Sequence, residues 1–594
     1  MSPSSCRLAS SSPFNVISCV ACSRAPSREA DHSMNAHTRQ DTSMTASVTS
    51  ALTPNKDWWR GAVIYQIYPR SYQDSNGDGI GDLKGITDRL HHIAGLGADA
   101  IWISPFFTSP MKDFGYDVSN YVDVDPMFGT LADFDGLIAE AHRLGIRVMI
   151  DLVLSHTSDQ HPWFVESRAS RNNPKSDWYV WSEAKPDGTP PNNWLSIFGG
   201  SGWQWDPTRM QYYMHNFLTS QPDLNLHNPE VQEELLNITR FWLKRGVDGF
   251  RLDTINFYFH DLELRDNPAL APERRNASTA PAVNPYNFQE HLYDKNRPEN
   301  IAFLKRFRAV LDEFPDIAAV GEVGDSQRGL EIVGEYTSGD DKMQMCYAFE
   351  FLAPDALTPQ RVADVQADFA RAAPEGWACW AFSNHDVVRH VSRWGEHVED
   401  KDAFAKLLSA LLMTQRGSVC IYEGEELGLT EADIAFEDLQ DPYGIQFWPE
   451  FKGRDGCRTP MVWDAGHAQA GFSTSDKIWL PIPAEHKQRA VSAQQGNEAS
   501  VLEHYRRFLA FRKQHPAFAK GGIEFQPLEG DVLSYTRKLG NETILCLFNL
   551  SATPANATLP KGNWEVLEGH GFASGLEGTS VELPAWGAFF ARYA

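Results

Sequence analysis

Residues Gly249 to Thr254 have the sequence Gly-Phe-Arg-Leu-Asp-Thr, and the rest of the chain can be ordered around them. The stretch resembles the end of a buried strand, where a period of two places Arg251 and Asp253 on one face. A neighbouring guanidinium favours the ionised carboxylate, which is the state that a nucleophilic carboxylate needs. Because a buried Arg/Asp pair is also common as a structural feature, these six residues do not by themselves indicate catalysis.

Length and composition restrict the classes of protein to consider. At 594 residues the chain is too long for one simple core, so about two to four domains are expected. The formal charge of −25 disfavours a nucleic-acid partner, which selects for clustered lysine and arginine, and also an anionic membrane surface. A neutral or cationic ligand fits this charge better. Aromatic residues in loop-like sequence, such as Trp203 and Trp205, suit stacking on sugar faces or ordinary packing between domains.

The first 54 residues are rich in serine and lack an amphipathic period, which predicts a disordered or removable extension over residues 1–54. The apolar run Phe14 to Cys22 is too short and too interrupted for a secretory core or a membrane span. A transit peptide is one interpretation, and a true start at Met34 or Met44 is the one that we favour. Since no later stretch is long and apolar, the sequence predicts a soluble, cytoplasmic protein.

From Trp58 onward, short apolar runs alternate with helical patterns. The predicted strands cover residues 62–69, 98–105, 147–153, 249–254, 318–323, 345–350, 377–383 and 418–422. Apolar residues at helical spacing predict helices between them, such as 131–144 and 230–245. Eight strands that alternate with helices predict an α/β fold, a closed (β/α)₈ TIM barrel. An open doubly wound sheet is the alternative topology.

Two connections are far longer than is usual between strands and helices of such a barrel. Residues 157–222, after the third strand, predict a small inserted domain, and residues from about 427 to 498, after the eighth, form a long excursion. The barrel itself is then assigned to residues 55–156 and 223–519. Strand-like segments separated by turns predict a small antiparallel β domain over residues 520–594.

Polar residues collect where four of the predicted strands end. Asp151 to His156 follow the third strand, Asp253 the fourth, Glu322 the fifth, and His385-Asp386 the seventh. Each alone has an ordinary explanation as a cap or a satisfied buried group. Four strands that all bury charge at one end would be costly without a function, and that end carries the active site in TIM barrels. Three carboxylates without a cofactor motif suit glycoside hydrolysis.

The sequence neighbours of two of these carboxylates differ. Asp253 has Arg251 beside it, whereas Glu322 lies in Ala-Val-Gly-Glu-Val-Gly, whose apolar residues are expected to raise its pKa. A retaining glycosidase uses one carboxylate as nucleophile and another as acid and then base, about 5 to 5.5 Å apart. The contrast predicts Asp253 as the nucleophile and Glu322 as the acid.

Seven stretches resemble, in order, the α-amylase family (glycoside hydrolase family 13), and within it the oligo-1,6-glucosidase and α-glucosidase group. The resemblance covers roughly residues 57–594. The stretches are Ala62–Pro69, Asp151–His156, Gln221–Asn225, Gly249–Asp253, Gly321–Val323, Phe382–Asp386 and Tyr422–Glu425. Chance does not supply seven matches in the same order, so the resemblance is specific.

The resemblance implies Asp253 as nucleophile, Glu322 as acid/base, and Asp386 as a third carboxylate that holds the hydroxyls of the distorted sugar. It also implies nine further sugar-binding residues. His156, Arg251 and His385 would hold the cleaved sugar, Asp113, Tyr116 and Arg458 would close its subsite into a dead-end pocket, Phe198 and Phe217 would form aromatic walls, and Thr254 would influence linkage specificity. A closed pocket implies attack from the non-reducing end.

Residues Asp74 to Asp82 carry an oxygen-bearing side chain at every second position, as an EF-hand loop does. The twelfth position is Gly85, so the bidentate glutamate is missing, and on the sequence alone a turn explains the pattern. The family resemblance implies a structural calcium or magnesium ion and no organic cofactor. Its ligands would be Asp74, Asn76, Asp78, the Ile80 carbonyl and Asp82.

In the family group, valine after the nucleophile accompanies α-1,6 cleavage, and other residues accompany α-1,4 cleavage. Thr254 therefore favours α-1,4 bonds, as in maltose and short oligosaccharides. The implied activity includes transglucosylation to acceptor alcohols or sugars, without nucleic-acid or membrane partners. The alternatives are an oligo-1,6-glucosidase, a related transferase or isomerase of sucrose or trehalose, and a non-catalytic protein that resembles transporter ectodomains. The last is disfavoured because the chain keeps all three carboxylates and has no evident anchor.

Overall fold

Eight parallel strands form the central sheet of the computed structural model, which describes residues 52–528 and 530–594. They are β1 (Val63–Ile67), β2 (Ala100–Ile103), β3 (Arg147–Leu152), β4 (Gly249–Leu252), β5 (Ala318–Val323), β6 (Met345–Ala348), β7 (Cys379–Ala381) and β8 (Ser418–Tyr422). The strand order is β6-β5-β4-β3-β2-β1-β8-β7, and a parallel bridge between Cys346 and Ala378 joins the two outer strands. The predicted TIM barrel is therefore confirmed. Residues 1–51 of the predicted extension lie outside the described residues.

Eight helices surround the barrel, one after each strand. They are α1 (Leu83–Leu96), α2 (Leu131–Arg143), α3 (Pro229–Arg245), α4 (Asn300–Leu311), α5 (Gly329–Thr337), α6 (Pro359–Ala372), α7 (Lys401–Thr414) and α8 (Val501–Gln514). Local sequence explains their ends: Thr130 and Asp133 form a capping box at the start of α2. Asn228 caps α3, which has Pro229 at its first position and ends at the left-handed Gly246. The helices predicted over 131–144 and 230–245 are confirmed to within one residue.

Three connections at the carboxyl ends of the strands are long. The connection after β3 contains a helix and a three-stranded antiparallel sheet, and the one after β8 contains only short helices. The third, residues 255–299 between β4 and α4, has only short 3-10 turns and was not predicted as an excursion. Its sequence is polar and rich in turns and shows neither helical nor strand periodicity. Its length is therefore evident only from the structure, where β4 ends at Leu252 and α4 begins at Asn300. These connections build the walls above the barrel.

Shorter strands and helices lie in the connections between the main elements and before the C-terminal domain. The strands after β2 and β3 are Phe107–Thr108, Asn120–Val124, Trp181–Ser182, Trp203–Asp206 and Gln211–Met214. The short helices are Pro69–Tyr72, Pro162–Ala169, His390–Arg393, Pro442–Phe447, Ala484–Gln488, Val491–Gln494 and Pro516–Lys520. Within residues 52–528 and 530–594, no helix combines the length and the apolar character needed to cross a membrane.

An antiparallel C-terminal domain was predicted and is present. Its larger sheet has five strands in the order Gly522–Phe525, Val532–Leu539, Glu542–Asn549, Ala588–Tyr593 and Trp564–Val566. Its smaller sheet has three strands in the order Ala555–Thr558, Ser580–Leu583 and Gly575–Glu577. The larger sheet packs on the barrel through the buried Arg537, whose guanidinium donates to the carbonyl oxygens at the end of α7.

Candidate active site

Asp253 and Glu322 lie side by side at the carboxyl ends of β4 and β5. In the register of these strands Leu252 pairs with Gly321, so Asp253 and Glu322 are the next positions along. Neighbouring strands are roughly 4.8 Å apart. Strand pairing thus brings together two carboxyl groups that are 69 residues apart in the sequence.

The predicted residues line one cavity of about 610 Å³ above these strand ends. Nine of the twelve predicted catalytic and sugar-binding residues contribute to its surface: Asp113, Tyr116, His156, Phe198, Phe217, Asp253, Thr254, Glu322 and Asp386. The other three, Arg251, His385 and Arg458, are buried directly behind these residues. The structure therefore brings all twelve to one place.

Arg251 is the charged centre of the site. Its Nη1 lies 2.9 Å from Asp151 Oδ1 and 2.7 Å from Asp253 Oδ1, and its Nη2 lies 2.6 Å from Glu322 Oε2. The same Nη2 donates to the hydroxyl of Tyr347 at 2.9 Å. Three carboxyl groups thus face one fully buried guanidinium. Because one positive charge cannot offset three negative charges in a buried site, this arrangement favours retention of a proton.

The pKa values of the two central carboxyl groups are both raised. Burial raises the pKa of Asp253 to about 7, against the opposing effect of Arg251, and Asp151 and Asp386 add to the rise. Burial likewise raises the pKa of Glu322 to about 7, again opposed by Arg251 and reinforced by Asp253. The predicted contrast between an ion-paired Asp253 and an apolar Glu322 is therefore wrong. Glu322 has apolar neighbours in sequence, but in space it contacts the same arginine.

Glu322 is held by two further hydrogen bonds. The hydroxyl of Tyr347 donates to Oε1 at 3.0 Å, and the backbone amide of Thr254 donates to Oε2 at 3.1 Å. Thr254 also donates from Oγ1 to Asp253 Oδ2 at 3.1 Å, so it contacts both carboxyl groups. Its φ of 39° is left-handed, which is rare for a β-branched residue and costs about 1–3 kcal/mol. The backbone strain therefore lies between the two groups proposed to react.

Asp386 is the most acidic of the three carboxyl groups. Its Oδ1 lies 2.8 Å from Arg458 Nη2 and 3.2 Å from Arg454 Nη1, and its Oδ2 lies 3.2 Å from His385 Nε2. Burial alone would raise its pKa, but His385, Arg454 and Arg458 together outweigh burial and hold the pKa well below its usual range. A quarter of its side chain is exposed in the cavity. Asp386 is thus an ionised carboxylate that can accept hydrogen bonds from sugar hydroxyls.

Arg454, and not Arg458, makes the ion pair across the inner end of the cavity. Arg454 Nη2 lies 2.8 Å from Asp113 Oδ1 and 2.7 Å from the buried Asp441 Oδ1. Arg458 instead donates to Asp386 and to the carbonyl oxygen of His385. The prediction that Arg458 closes the pocket with Asp113 is therefore corrected. The two arginines flank the 3-10 turn Asp455–Cys457, and the sequence does not show which of them reaches across.

Phe198 and Phe217, which were predicted as aromatic walls, both line the cavity. Phe198 stacks on Tyr443 with 4.5 Å between ring centroids and meets the edge of Phe217 at 5.7 Å. Phe217 in turn lies 5.1 Å from the ring of His156. Burial lowers the pKa of His156 to about 4, so its ring is neutral and Nε2 can donate to the Tyr116 carbonyl oxygen at 3.0 Å.

Sequence reasoning did not assign several residues of the site. Asp151 and Gln221 lie in stretches that carry the family resemblance, so a signal for them existed. Gln221 Nε2 donates to Asp113 Oδ2 at 3.0 Å. Tyr347, Tyr443 and the outer rim had no recognisable signal. The outer rim is formed by Phe257, residues 277–282, Phe349, Leu352, Pro354, Val387, Val388, Glu396, Glu450 and Phe451.

The loop predicted to bind a metal ion is a chain of side-chain to backbone hydrogen bonds. Asp74 Oδ1, Asn76 Oδ1 and Asp78 Oδ1 each accept from the amide two residues further on, at 2.9 to 3.0 Å. Asp82 caps α1 by accepting from the Gly85 amide. Across the described residues, no three His, Cys, Asp or Glu side chains form a metal-binding group. An ion here would also depend on Asn76 and a backbone carbonyl, and such an all-oxygen donor set suits calcium or magnesium.

Comparison with known protein families agrees with this geometry. Residues 66–521 match the catalytic domain of alpha amylase, and residues 523–590 match the C-terminal domain of maltogenic amylase. Paired carboxyl groups at the carboxyl end of a (β/α)₈ barrel are compatible with glycoside hydrolysis. The chain belongs to the α-amylase family, and it is a glycoside hydrolase of that family.

Two relatives illustrate the similarity in sequence. A probable alpha-glucosidase of Rhizobium meliloti (strain 1021) is 76% identical over 551 residues, which cover 93% of this chain and 100% of the relative. An oligo-1,6-glucosidase of Heyndrickxia coagulans is 38% identical over 549 residues, which cover 86% of this chain and 96% of the relative.

Two solved structures are similar over nearly the whole described chain. An alpha-glucosyl transfer enzyme, XgtA, superposes with a TM-score of 0.88 at 54% identity, with 91% of this chain and 100% of that chain covered. The trehalulose synthase MutB from Pseudomonas mesoacidophila MX-45 superposes with a TM-score of 0.82 at 35% identity, with 91% and 100% covered.

Proposed function

We propose that this protein is a retaining, exo-acting α-glucosidase that favours α-1,4 bonds in maltose and short oligosaccharides and also transfers glucosyl groups to acceptor alcohols or sugars. The observation that carries the proposal is the paired position of Asp253 and Glu322 on adjacent strands, both bound to Arg251. Adjacent strands place two carboxyl groups at roughly the separation that a retaining enzyme needs, without room for a water molecule between them and the sugar.

The proposed reaction has two steps. Asp253 attacks the anomeric carbon and forms a covalent β-glucosyl ester, while Glu322 donates its proton to the departing glycosidic oxygen. Glu322, now ionised, removes a proton from water or from an acceptor hydroxyl, whose oxygen attacks the anomeric carbon and releases Asp253. Arg251 contacts both groups, so it can stabilise the negative charge on whichever of the two is ionised.

Exo-action is supported by the inner end of the cavity. There the Asp113–Arg454 ion pair lies beside Tyr116 and Phe198, so a glucose ring has no evident path beyond it. The name of the relative that is 76% identical, a probable alpha-glucosidase, supports the same activity. An isomerase is the alternative, since a trehalulose synthase has the same fold, but that structure is only 35% identical.

Product analysis tests the proposal directly. Hydrolysis of a nitrophenyl α-glucoside, followed by proton NMR during the first turnovers, should show α-glucose as the first sugar product. Incubation with maltose, isomaltose, sucrose and trehalose should show maltose as the preferred disaccharide. Addition of an alcohol should divert glucosyl groups into an alkyl α-glucoside. Initial release of β-glucose from the nitrophenyl α-glucoside would exclude retention. Maltose, maltotriose or maltotetraose among the first products from maltoheptaose, in place of glucose and maltohexaose, would exclude exo-action. Conversion of sucrose mainly into an isomeric disaccharide would favour the isomerase.

The dependence of kcat/KM on pH is expected to be bell-shaped with its maximum near pH 7. Both carboxyl pKa values are raised to about 7, and repulsion between the groups separates the two ionisations of the pair. At lower pH both groups are protonated and the nucleophile is lost, whereas at higher pH both are ionised and no acid remains. Initial rates with maltose across the pH range provide the test. Activity that stays constant into the alkaline range would contradict a shared proton.

Replacement of Thr254 by valine is expected to raise the ratio of kcat/KM on isomaltose to that on maltose by about fivefold, equivalent to one hydrogen bond of ~1 kcal/mol. Valine keeps the β-branched shape but removes the hydroxyl that contacts Asp253 and Ser155. Thr254→Ser, which keeps the hydroxyl, is the matched control and should leave the ratio near the wild-type value. An unchanged ratio in Thr254→Val would show that linkage preference is set elsewhere.

The structural ion is part of the same proposal, with Asp74, Asn76, Asp78, the Ile80 carbonyl and Asp82 as its ligands. Binding at 100 times the Kd would add about 2.7 kcal/mol to the free energy of unfolding. After treatment with a chelator, 1 mM calcium is thus expected to raise the Tm by about 2 to 5 °C. Asp78→Ala should abolish the rise. An equal rise in this variant would place the ion elsewhere.

A further inference from the structure

Gln66, which was not among the predicted site residues, extends from β1 toward the active site and contacts His385. Its side chain is fully buried, and in the strand register it lies between Trp102 on β2 and Tyr422 on β8. Its Nε2 lies 2.7 Å from Nδ1 of His385, and its other contact, Ser104 Oγ, is at 3.4 Å. The amide is therefore directed at one ring nitrogen of a residue that adjoins the sugar subsite.

The ring of His385 has little freedom to turn. It stacks on Tyr116 with 5.3 Å between centroids and 3° between planes, and on Tyr68 at 5.7 Å and 21°. Its second nitrogen, Nε2, lies 2.5 Å from the Tyr116 hydroxyl and 3.2 Å from Asp386 Oδ2. A neutral imidazole carries one proton, so one nitrogen donates and the other accepts.

The hydrogen bonds beyond Tyr116 decide which nitrogen carries that proton. The Tyr116 hydroxyl lies 3.0 Å from Asp151 Oδ2, an oxygen that also accepts from Trp102 Nε1 at 3.2 Å and from Arg251 Nη1 at 3.0 Å. Tyr116 has one proton, and a carboxylate that is paired with Arg251 can only accept it. The Tyr116 oxygen must then accept from His385 Nε2, which leaves Nδ1 bare to accept from Gln66.

The other tautomer of His385 satisfies fewer hydrogen-bonding groups. With the proton on Nδ1, a bare Nε2 would lie 3.2 Å from the carboxylate oxygen of Asp386. Tyr116 would then have to donate to His385 and give up its bond to Asp151. Two acceptors facing each other in a buried site are unfavourable, because neither has water to bind instead.

We propose that Gln66 is a positioning residue of this active site: its amide N–H holds His385 as the Nε2-protonated neutral tautomer, so that Nε2 donates to the Tyr116 hydroxyl at the wall of the cavity, beside Asp386. The inference rests on the proposed function, whose site it deepens. A glutamine does not ionise, so this device acts at every pH at which the enzyme works. All the hydrogen bonds of this chain then donate in one direction. Gln66 donates to His385, His385 donates to Tyr116, and Tyr116 donates to Asp151, which is paired with Arg251.

The charged groups around His385 come from several elements. They are Asp386 on its own segment, Asp151 on β3, Arg251 on β4, Arg454 and Arg458 after β8, and the phenols Tyr68 and Tyr116. Burial lowers the pKa of His385 to about 3, against the effect of Asp386 and with added effects of the three arginines. A carboxylate at position 66 would oppose this, because it accepts a proton from Nδ1 and stabilises the charged ring.

The test compares Gln66→Glu with Gln66→Met, which has a similar shape and cannot donate. Ser104→Ala, which removes the other contact of Gln66, is the control and should stay within twofold of wild type. Kinetic constants on maltose are measured as a function of pH, with the Tm of each variant. Gln66→Glu should lower kcat/KM by about 10- to 100-fold at neutral pH, as expected when a buried hydrogen bond of the site is misdirected, and should add an ionisation to the profile. Gln66→Met should also lower kcat/KM, but its pH profile should show no new ionisation.

The inference fails if the profile of Gln66→Glu superposes on that of wild type, or if both variants lose the same factor with no change in pH dependence. Neutron diffraction from the wild-type protein keeps the test independent of folding of the variants. Deuterium on Nε2 and none on Nδ1 of His385 supports the inference, and deuterium on Nδ1 overturns it. A wild-type protein without activity on any α-glucoside would instead refute the proposed function.

Discussion

Replacement of Asp253 by alanine is expected to lower kcat on maltose by at least ~10³-fold, because no other group can form the covalent bond to the sugar. The variant also removes one partner of Arg251 Nη1 and one partner of Thr254 Oγ1, so its Tm should be recorded beside its rate. The control is Asp340→Asn, an exposed aspartate in the hollow at the amino end of the strands, which should retain wild-type activity.

A small anion can identify the face from which Asp253 acts. Alanine at position 253 leaves space on the face of the sugar opposite the leaving group, and azide can enter there. With an activated aryl α-glucoside, azide should restore part of the activity and give β-glucosyl azide, whose configuration NMR reads directly. Retention of wild-type activity, or an α-configured azide product, would show that Asp253 is not the nucleophile.

Replacement of Glu322 by glutamine is expected to give the second largest loss, about 10² to 10⁴-fold on maltose, the usual contribution of a general acid. The loss should be much smaller for the first step with a dinitrophenyl α-glucoside, whose leaving group departs without protonation. Burst kinetics separate that step from hydrolysis of the glucosyl ester. The alkaline limb of the pH profile should also change, because the group that loses the last proton has been replaced.

The azide product distinguishes the two carboxyl groups. In Glu322→Ala the nucleophile is intact, so azide attacks the glucosyl ester and should yield α-glucosyl azide, of retained configuration. The two variants therefore predict opposite products from one reagent. This comparison is needed because burial raises the pKa of both groups to about 7, so their acidities do not assign the roles. If the products were exchanged, the roles of Asp253 and Glu322 would be exchanged as well.

The parts of the site that could be predicted without the family resemblance are those with a local signal. Asp253 and Glu322 follow short apolar runs, and the period of a strand places such residues at its end. Phe198 and Phe217 lie far from these strands in the chain and were assigned only through the family resemblance. The structure places them at the cavity beside the predicted carboxyl groups.

The parts that were wrong or absent depend on contacts between distant segments. The choice between Arg454 and Arg458 depends on which guanidinium reaches Asp113, more than 300 positions earlier in the chain. The surroundings of Glu322 were misjudged because Tyr347 and Arg251 reach it from neighbouring strands. No pattern within either segment records these contacts.

The sequence by itself determined the barrel, the C-terminal sheet domain and the face on which Asp253, Glu322 and Asp386 lie, because apolar periodicity and strand ends are properties of short segments. Only the tertiary structure showed which arginine closes the cavity. It also showed that Asp253 and Glu322 share the guanidinium of Arg251, and that Gln66 faces His385. These features are set by distances of about 3 Å between side chains on different strands and loops. Electrostatic and hydrogen-bond energies depend steeply on such distances, and a linear sequence does not contain them.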